Sequence, residues 1–322
     1  MSARVYRHLT TTVASRRRFL QWGCIATAAS LLPACGAEQP TRVGVQTWAG
    51  FQFLTLAQRR GLYRGQPLEL VPFETSDGTA SALRTGQLHA ATVTLDEAIR
   101  LRADGARVQV VLICDVSAGA DVVLARPGIA TLADLRGRRI GVESTALGTL
   151  MLAETLHAAG LDDRAIVAVP IEEDHHRAWQ RGDLDAVLTY GLSAELLEAA
   201  GLVRLADSRN LRQVIFDVVA VRDDVGSAHG RALRTLVAGH FAATDLWRHN
   251  PIDTSYELAP LLDTTPERVR QAFKGVDLPD ARDNHRRLKS PATELTSTAR
   301  QVSEVLVGAG LLGHVPDLGD FF

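Results

Sequence analysis

Apolar residues along this chain follow two spacings that alternate. Short runs apolar at every or every second position, "RVGVQ" (42–46), "LELVPF" (68–73), "HAATVT" (89–94), "VQVVLIC" (108–114) and "DVVLA" (121–125), predict strands. The same pattern returns in "RIGV" (139–142), "IVAVP" (166–170), "DAVLTY" (185–190) and "FDVVAVR" (216–222). Between most of these runs, residues of one face recur three or four apart and stop at a glycine. Leu54, Ala57 and Gln58 precede Gly61; Ala80, Leu83 and Arg84 precede Gly86; Leu150, Leu152 and Leu156 precede Gly160. Strand then helix, repeated, predicts an α/β fold with largely parallel sheets. From about Ser227 only helical spacing remains, in "ALRTLVAGHFAATDLW", "SYELAPLL", "TPERVRQAF" and "ATELTSTARQVSEVL". Helices that follow a second sheet are expected to pack back on the first, so the chain should cross between two lobes near residues 115–121 and 210–217.

The first 35 residues break this pattern. All five basic residues before Cys35 (Arg4, Arg7, Arg16, Arg17 and Arg18) stand in a segment without acids. "SRRRFLQ" (Ser15 to Gln21) resembles the twin-arginine export motif, and the apolar stretch Trp22 to Ala34 that follows is shorter than the about 20 residues a membrane span needs. It ends in "LLPAC", which resembles a lipobox, with Leu32 third before the cysteine, Ala34 just before it, and Cys35 as the lipidated residue. Residues 1–35 therefore read as a twin-arginine lipoprotein signal peptide, and the protein is expected outside the cytoplasm, periplasmic where there is a periplasm, held to the membrane through lipid at Cys35. Of three cysteines, Cys24 would leave with the signal and Cys35 would carry lipid, so Cys114 stands alone in a strand. That arithmetic excludes an intramolecular disulfide and a cysteine-based zinc or iron–sulfur site.

Charge narrows the partners. The whole chain has a formal net charge of −2; without those five arginines, 30 basic residues face 37 acidic ones, a net of −7. A mildly acidic body without a clustered basic face excludes a nucleic-acid partner. No G-x-S-x-G elbow is present, and neither lysine, Lys274 or Lys289, follows the glycines of a P-loop. His175 and His176 are adjacent, and on a helix their side chains point about 100° apart, so they do not converge on one ion.

"WAGFQFLTLAQRRGLY", the long stretch from "HAATVTLDEAIRLRADG" to "GVESTALG", and "GDLDAVLTY" resemble the substrate-binding proteins of ABC importers in the nitrate, sulfonate and taurine group, a family that also holds thiamine-pyrimidine synthase-like enzymes. The likeness runs from about Arg42 to Leu312. It implies a type II periplasmic-binding-protein-like fold, with two α/β lobes of mostly parallel sheets joined by a two-segment hinge. Residues 36–118 and 216–322 would form lobe 1 and residues 119–215 lobe 2, closing on a small polar solute for delivery to a permease and its ATPase. The expected protein is a monomer that binds without catalysis, cofactor or metal. Two alternatives stay open: a sensory binding protein for a membrane receptor or kinase, and the synthase-like enzyme, whose cysteine-rich iron-binding segment this chain lacks.

In α/β sheets ligands sit beyond the carboxyl ends of strands. Those exits offer Trp48 and Phe51 after the first run, Ser76 after the second, and Thr94 and Asp96 after the third, with Asp96 also readable as a helix N-cap and Glu97 as a neighbour of the helix dipole. The first crossing supplies Asp121, with Ala118 and Gly119 as hinge candidates. "GVESTALGTL" supplies Glu143, Ser144 and Thr145, where a strand hands over to a helix whose free N–H groups suit an anion as well as a plain cap. His175, Thr189, Tyr190 and, at the return crossing, Asp217 complete the set. These groups are acidic and aromatic with no arginine or lysine, so an amine or a pyrimidine-like ring fits them better than nitrate or a sulfonate.

Overall fold

The computed structural model describes residues 39–172, 174–210, 215–289 and 294–322; the export motif, the apolar stretch and Cys35 lie outside the described residues. Five strands and three helices lead to the first crossing and past it: β1 (Thr41–Gln46), α1 (Gln52–Arg59), β2 (Leu68–Phe73), α2 (Ser76–Arg84), β3 (Ala90–Thr94), α3 (Leu95–Ala103), β4 (Val108–Ser117) and β5 (Asp121–Ala125). Then come β6 (Arg139–Glu143), α4 (Ala146–Ala159), β7 (Val167–Ile171), α5 (His175–Gln180), β8 (Ala186–Tyr190), α6 (Gly191–Ala199) and β9 (Val203–Asp207). The chain finishes with β10 (Phe216–Arg222), α7 (Ser227–His249), α8 (Pro251–Leu258), α9 (Pro266–Ala272), β11 (Val276–Asp277), α10 (Ala281–Lys289) and α11 (Glu294–Gly308). No helix among the described residues is long and apolar enough to cross a membrane.

Pro40–Phe322 holds two sheets, of order β11-β4-β10-β3-β1-β2 and β7-β6-β8-β5-β9. The chain changes sheet between β4 and β5 and again between β9 and β10. The expected parallel pairing holds within the strand–helix–strand units, where β1 pairs with β2 and β3, and β6 with β7 and β8. It fails at the strands that arrive from the other sheet. β10 lies antiparallel between β3 and β4, and β5 lies antiparallel between β8 and β9. A parallel neighbour needs a crossover helix on the same sheet, and these two strands enter without one. Both sheets are therefore mixed.

Apolar packing covers both faces of the first sheet. One cluster joins Leu83, Ile99, Val93 and Val218 to Ala299, Val302 and Leu306 of α11. The opposite one joins Phe53, Leu54, Val43 and Cys114 to Leu236 and Ala243 of α7. The late helices thus return to the first sheet, and every residue of β3 is buried, as a central strand covered on both sides requires. Cys114 is enclosed in this core.

β4 runs near the sheet margin, where β11 covers only Val116 and Ser117. Ile113 farther down would present unpaired backbone groups; instead the Asn284 side chain from α10 accepts from its N–H at 2.7 Å and donates to its C=O at 3.0 Å. Val110 N–H donates to the Phe321 carbonyl at 2.8 Å. An amide side chain here takes the place of a neighbouring strand. Asn284→Ala strands both groups of Ile113 in a buried place, so the variant is expected to lose about 2–4 kcal/mol of unfolding free energy in a denaturant titration.

Candidate functional site

A cavity of about 550 Å³ opens between the two sheets. The first sheet contributes the loop after β1 with Trp48, the turn after β2 with Ser76, and the β3–α3 junction with Thr94 and Glu97. The second contributes Glu143 to Thr145 after β6, His175 after β7, and Tyr190 at the end of β8. The antiparallel insertions explain two further walls. Because β10 runs against β3, its early residue Asp217 lies opposite Thr94; because β5 runs against β8, its first residue Asp121 lies opposite Tyr190. Strand entrances and strand exits meet at one place.

Aromatic rings close the cavity from both sides. The Trp48 and Tyr190 rings meet edge to face at 5.9 Å, and the His175 ring stands 5.3 Å from Tyr190. Trp48 Nε1 donates to Asp115 Oδ2 at 3.1 Å, and Asp115 shares a side-chain hydrogen bond with Asp217, its partner across β4 and β10. The Tyr190 hydroxyl donates to Glu143 Oε2 at 2.9 Å. Gly191, with φ of +56°, lies against the indole: an added Cβ would sit 2.7 Å from Trp48 Cζ3. Gly191→Ala combines a left-handed backbone with that clash, and is expected to cost about 1–2 kcal/mol in a denaturant titration.

The helix starts around the cavity are capped by their own side chains. Thr145 Oγ1 accepts from Gly148 N–H at 3.1 Å and so caps α4 while lining the cavity. Ser144 N–H donates to the Ile171 carbonyl. Thr75 caps α2 through Gly78 N–H, and Asp174 caps α5 through Arg177 N–H. Glu97 folds back from the third position of α3 to accept from Thr94 N–H at 3.0 Å, and the Ser76 hydroxyl donates to its other oxygen. At each of these starts at least one orphan donor of the first turn is satisfied by the chain itself.

Among the described residues eight that line the cavity are acidic and none is lysine or arginine; His175 is the one basic side chain there. Among the described residues, Glu97, Asp121, Glu143 and Asp217 form no salt bridge. Burial raises the Asp121 carboxyl to about 7 and Glu97 to about 8, with neighbouring carboxylates adding to both. Asp217 is pushed well above the carboxylate range by burial and then by Asp115. Burial also raises Asp115 to about 7 and Asp96 to about 6, lifts the Tyr190 phenol well above its ordinary value, and lowers His175. No group of three such side chains among the described residues is arranged to hold a metal ion.

Of the residues expected at the site, Trp48, Ser76, Thr94, Asp121, Glu143 and Ser144 line the cavity, as do Thr145, His175, Tyr190 and Asp217. Three do not. Phe51 turns into the core at the start of α1. Asp96 is the second residue of α3, buried beside the cavity, and the cap position belongs to Thr94. Thr189 points away because successive strand residues face opposite ways; it sits behind His175, with 2.9 Å between Oγ1 and Nδ1. Glu97, read from sequence as a dipole neighbour, lines the cavity. The T-x-x-E spacing of Thr94 and Glu97 carried that information, since a capping glutamate folds back toward the strand end. Glu74, Asp77, Glu172 and Asp174 at the rim had no such signal beyond their charge.

A family model described as NMT1/THI5 like matches residues 48–237. No curated protein sequence matches the chain. In fold the chain is similar to the periplasmic aliphatic sulphonate binding protein SsuA from Escherichia coli, with 18% identity, 89% of this chain and 92% of that chain covered, and a TM-score of 0.73. It is also similar to the alkanesulfonate-binding protein SsuA from Xanthomonas axonopodis pv. citri bound to MOPS, with 19% identity, coverage of 88% and 98%, and a TM-score of 0.68. The desulfurization enzyme DSZB shares the fold at 18% identity, coverage of 88% and 96%, and a TM-score of 0.62. The architecture is that of periplasmic binding proteins, two α/β halves on one chain.

Proposed function

Since the chain belongs to the NMT1/THI5-like family, we propose that it is an extracytoplasmic solute-binding protein that closes on a small polar molecule. One observation carries this reading: the cavity is shared by strand ends of two sheets, with Trp48 from one and Tyr190 from the other in contact across it. A site divided between two halves is suited to capture by closure, because the ligand bridges both. Residues 36–118 and 216–322 would move as one lobe and residues 119–215 as the other, turning at the crossings near Gly119 and Ile215. Gly119 has φ of +117°, a conformation only glycine adopts without strain.

The solute would be handed to an ABC permease and its ATPase by a monomer anchored through lipid at Cys35. The sulphonate-binding relatives support the binding role. Binding is preferred to catalysis because Cys114, the sole described cysteine, is enclosed in the core, where burial raises its thiol well above the ordinary range, and it does not line the cavity. A thermal-shift screen tests the proposal with amines, amidines, pyrimidines, sulfonates, nitrate and small carboxylates. A ligand at a hundred times its dissociation constant adds about 2.7 kcal/mol, a shift of several degrees. X-ray scattering on the hit should show a smaller radius of gyration; a panel without a single hit would overturn the reading.

A further inference from the structure

We propose that the cavity takes a small organic cation, a protonated amine or amidine whose charged nitrogen lies among Asp121, Asp217, Glu97 and Glu143 and whose carbon frame lies against Trp48 and Tyr190. This rests on the solute-binding reading and specifies its ligand class. Charge alone does not make a site, and three independent features point to the same occupant.

First, the described lining offers an oxyanion no cationic side chain but His175. Anions are held by arginine, lysine or free N–H groups at helix starts. Among the described residues no arginine or lysine lines the cavity, and the N–H groups of Ser144, Gly148, Gly78 and Arg177 are already donated to the protein's own oxygens. Second, four carboxylates that line the cavity, Glu97, Asp121, Glu143 and Asp217, form no salt bridge among the described residues. They are acceptors suited to a nitrogen that carries several N–H bonds. Third, the aromatic faces of Trp48 and Tyr190 attract cations as well as apolar frames. A cavity of about 550 Å³ lies within the usual range for small-molecule ligands. The carboxylates do not converge as metal ligands would, which favours a cation with its own N–H bonds over a bare ion.

The test uses ligands built on one ring and differing in charge: benzylamine and benzamidine, benzyl alcohol, and benzenesulfonate, followed by calorimetry inside the broader panel. The amine and amidine are expected to bind at least tenfold tighter than the alcohol, with no heat from the sulfonate. Asp121→Asn should weaken the amine at least tenfold and leave the alcohol within twofold; Glu143→Gln, equally isosteric, gives the same comparison should the first variant fold poorly. Hits confined to cations across the panel support the inference even where the benzyl frame is too large. Tighter binding of sulfonates, nitrate or neutral rings than of cations overturns the inference and leaves solute binding intact. Silence in every charge class overturns both.

Discussion

Between pH 5 and pH 8 the ligand-free protein is expected to lose thermal stability steadily, with a melting temperature roughly 10 °C lower at the alkaline end. The cause is the carboxyl cluster. Asp121 has its pKa raised by burial to about 7, against an ordinary 3.8, so the folded state holds a proton that the unfolded chain has already released. For a group raised in this direction the stabilising contribution is whole below the unfolded value and is gone once the pH has risen through the folded one. The full span is worth about 4 kcal/mol for one carboxyl, of which about 2 falls between pH 5 and 7. Glu97, at about 8, extends the decline to higher pH. Asp96, Asp115, Glu143 and Asp217 surround the same region and penalise each further charge, while neutral Tyr190 and His175, which burial holds uncharged, do not compensate. Differential scanning calorimetry across this range checks the slope. Asp121→Asn should flatten it and raise the melting temperature at pH 8; an unchanged slope would mean that the cluster ionises freely in the folded protein.

Trp48→Ala is expected to weaken binding of whatever ligand the screen identifies by a factor of thirty or more, a loss of about 2 kcal/mol or greater. The indole does three things at once. It lines the cavity, meets Tyr190 across it, and donates its N–H to Asp115. Its removal takes away apolar surface, the contact between the two walls, and an N–H donor to the Asp115 carboxyl that is also hydrogen-bonded to Asp217. Trp48→Phe separates these contributions, because it keeps the ring and loses the N–H. Calorimetric titration of both variants should rank them wild type, Phe, Ala. Cys114→Ser, buried away from the cavity, serves as the control and should bind as the wild type does; equal small losses for Trp48→Ala and Cys114→Ser would remove Trp48 from the site.

Much of this architecture is written locally. "DVVLA", "LELVPF" and "FDVVAVR" form strands over the residues their apolar runs span, and Thr145 caps α4 as a threonine before a helical period should. What escapes a local reading depends on partners distant in the chain. β9 is half exposed and weakly apolar, and it becomes a strand because β5 offers it an edge. α10 is nearly all polar and owes its place to Asn284 reaching Ile113. The site divides in the same way. Residues at strand exits could be inferred from topology alone, whereas the pairing of Asp217 with Thr94 and Asp115 follows from β10 entering backwards, which no spacing in the sequence announces. Phe51 and Thr189 lay one residue or one helical turn from a lining position, and side-chain direction rather than location moved them out.

The Asn284–Ile113 contact also has a meaning in time. Its two partners are 171 residues apart, so a ribosome adding about 5–20 residues per second finishes Ile113 roughly 10–30 s before Asn284 exists. Throughout that interval β4 stands with an open margin, and its antiparallel partner β10 is also still unmade for much of it. The nascent first sheet is then a half-built template that any extended chain nearby could extend. Folding of this protein is consequently tied to completion of its later half, and conditions that slow translation past β4 should show first as aggregation of unfinished chains, with the finished protein unaffected.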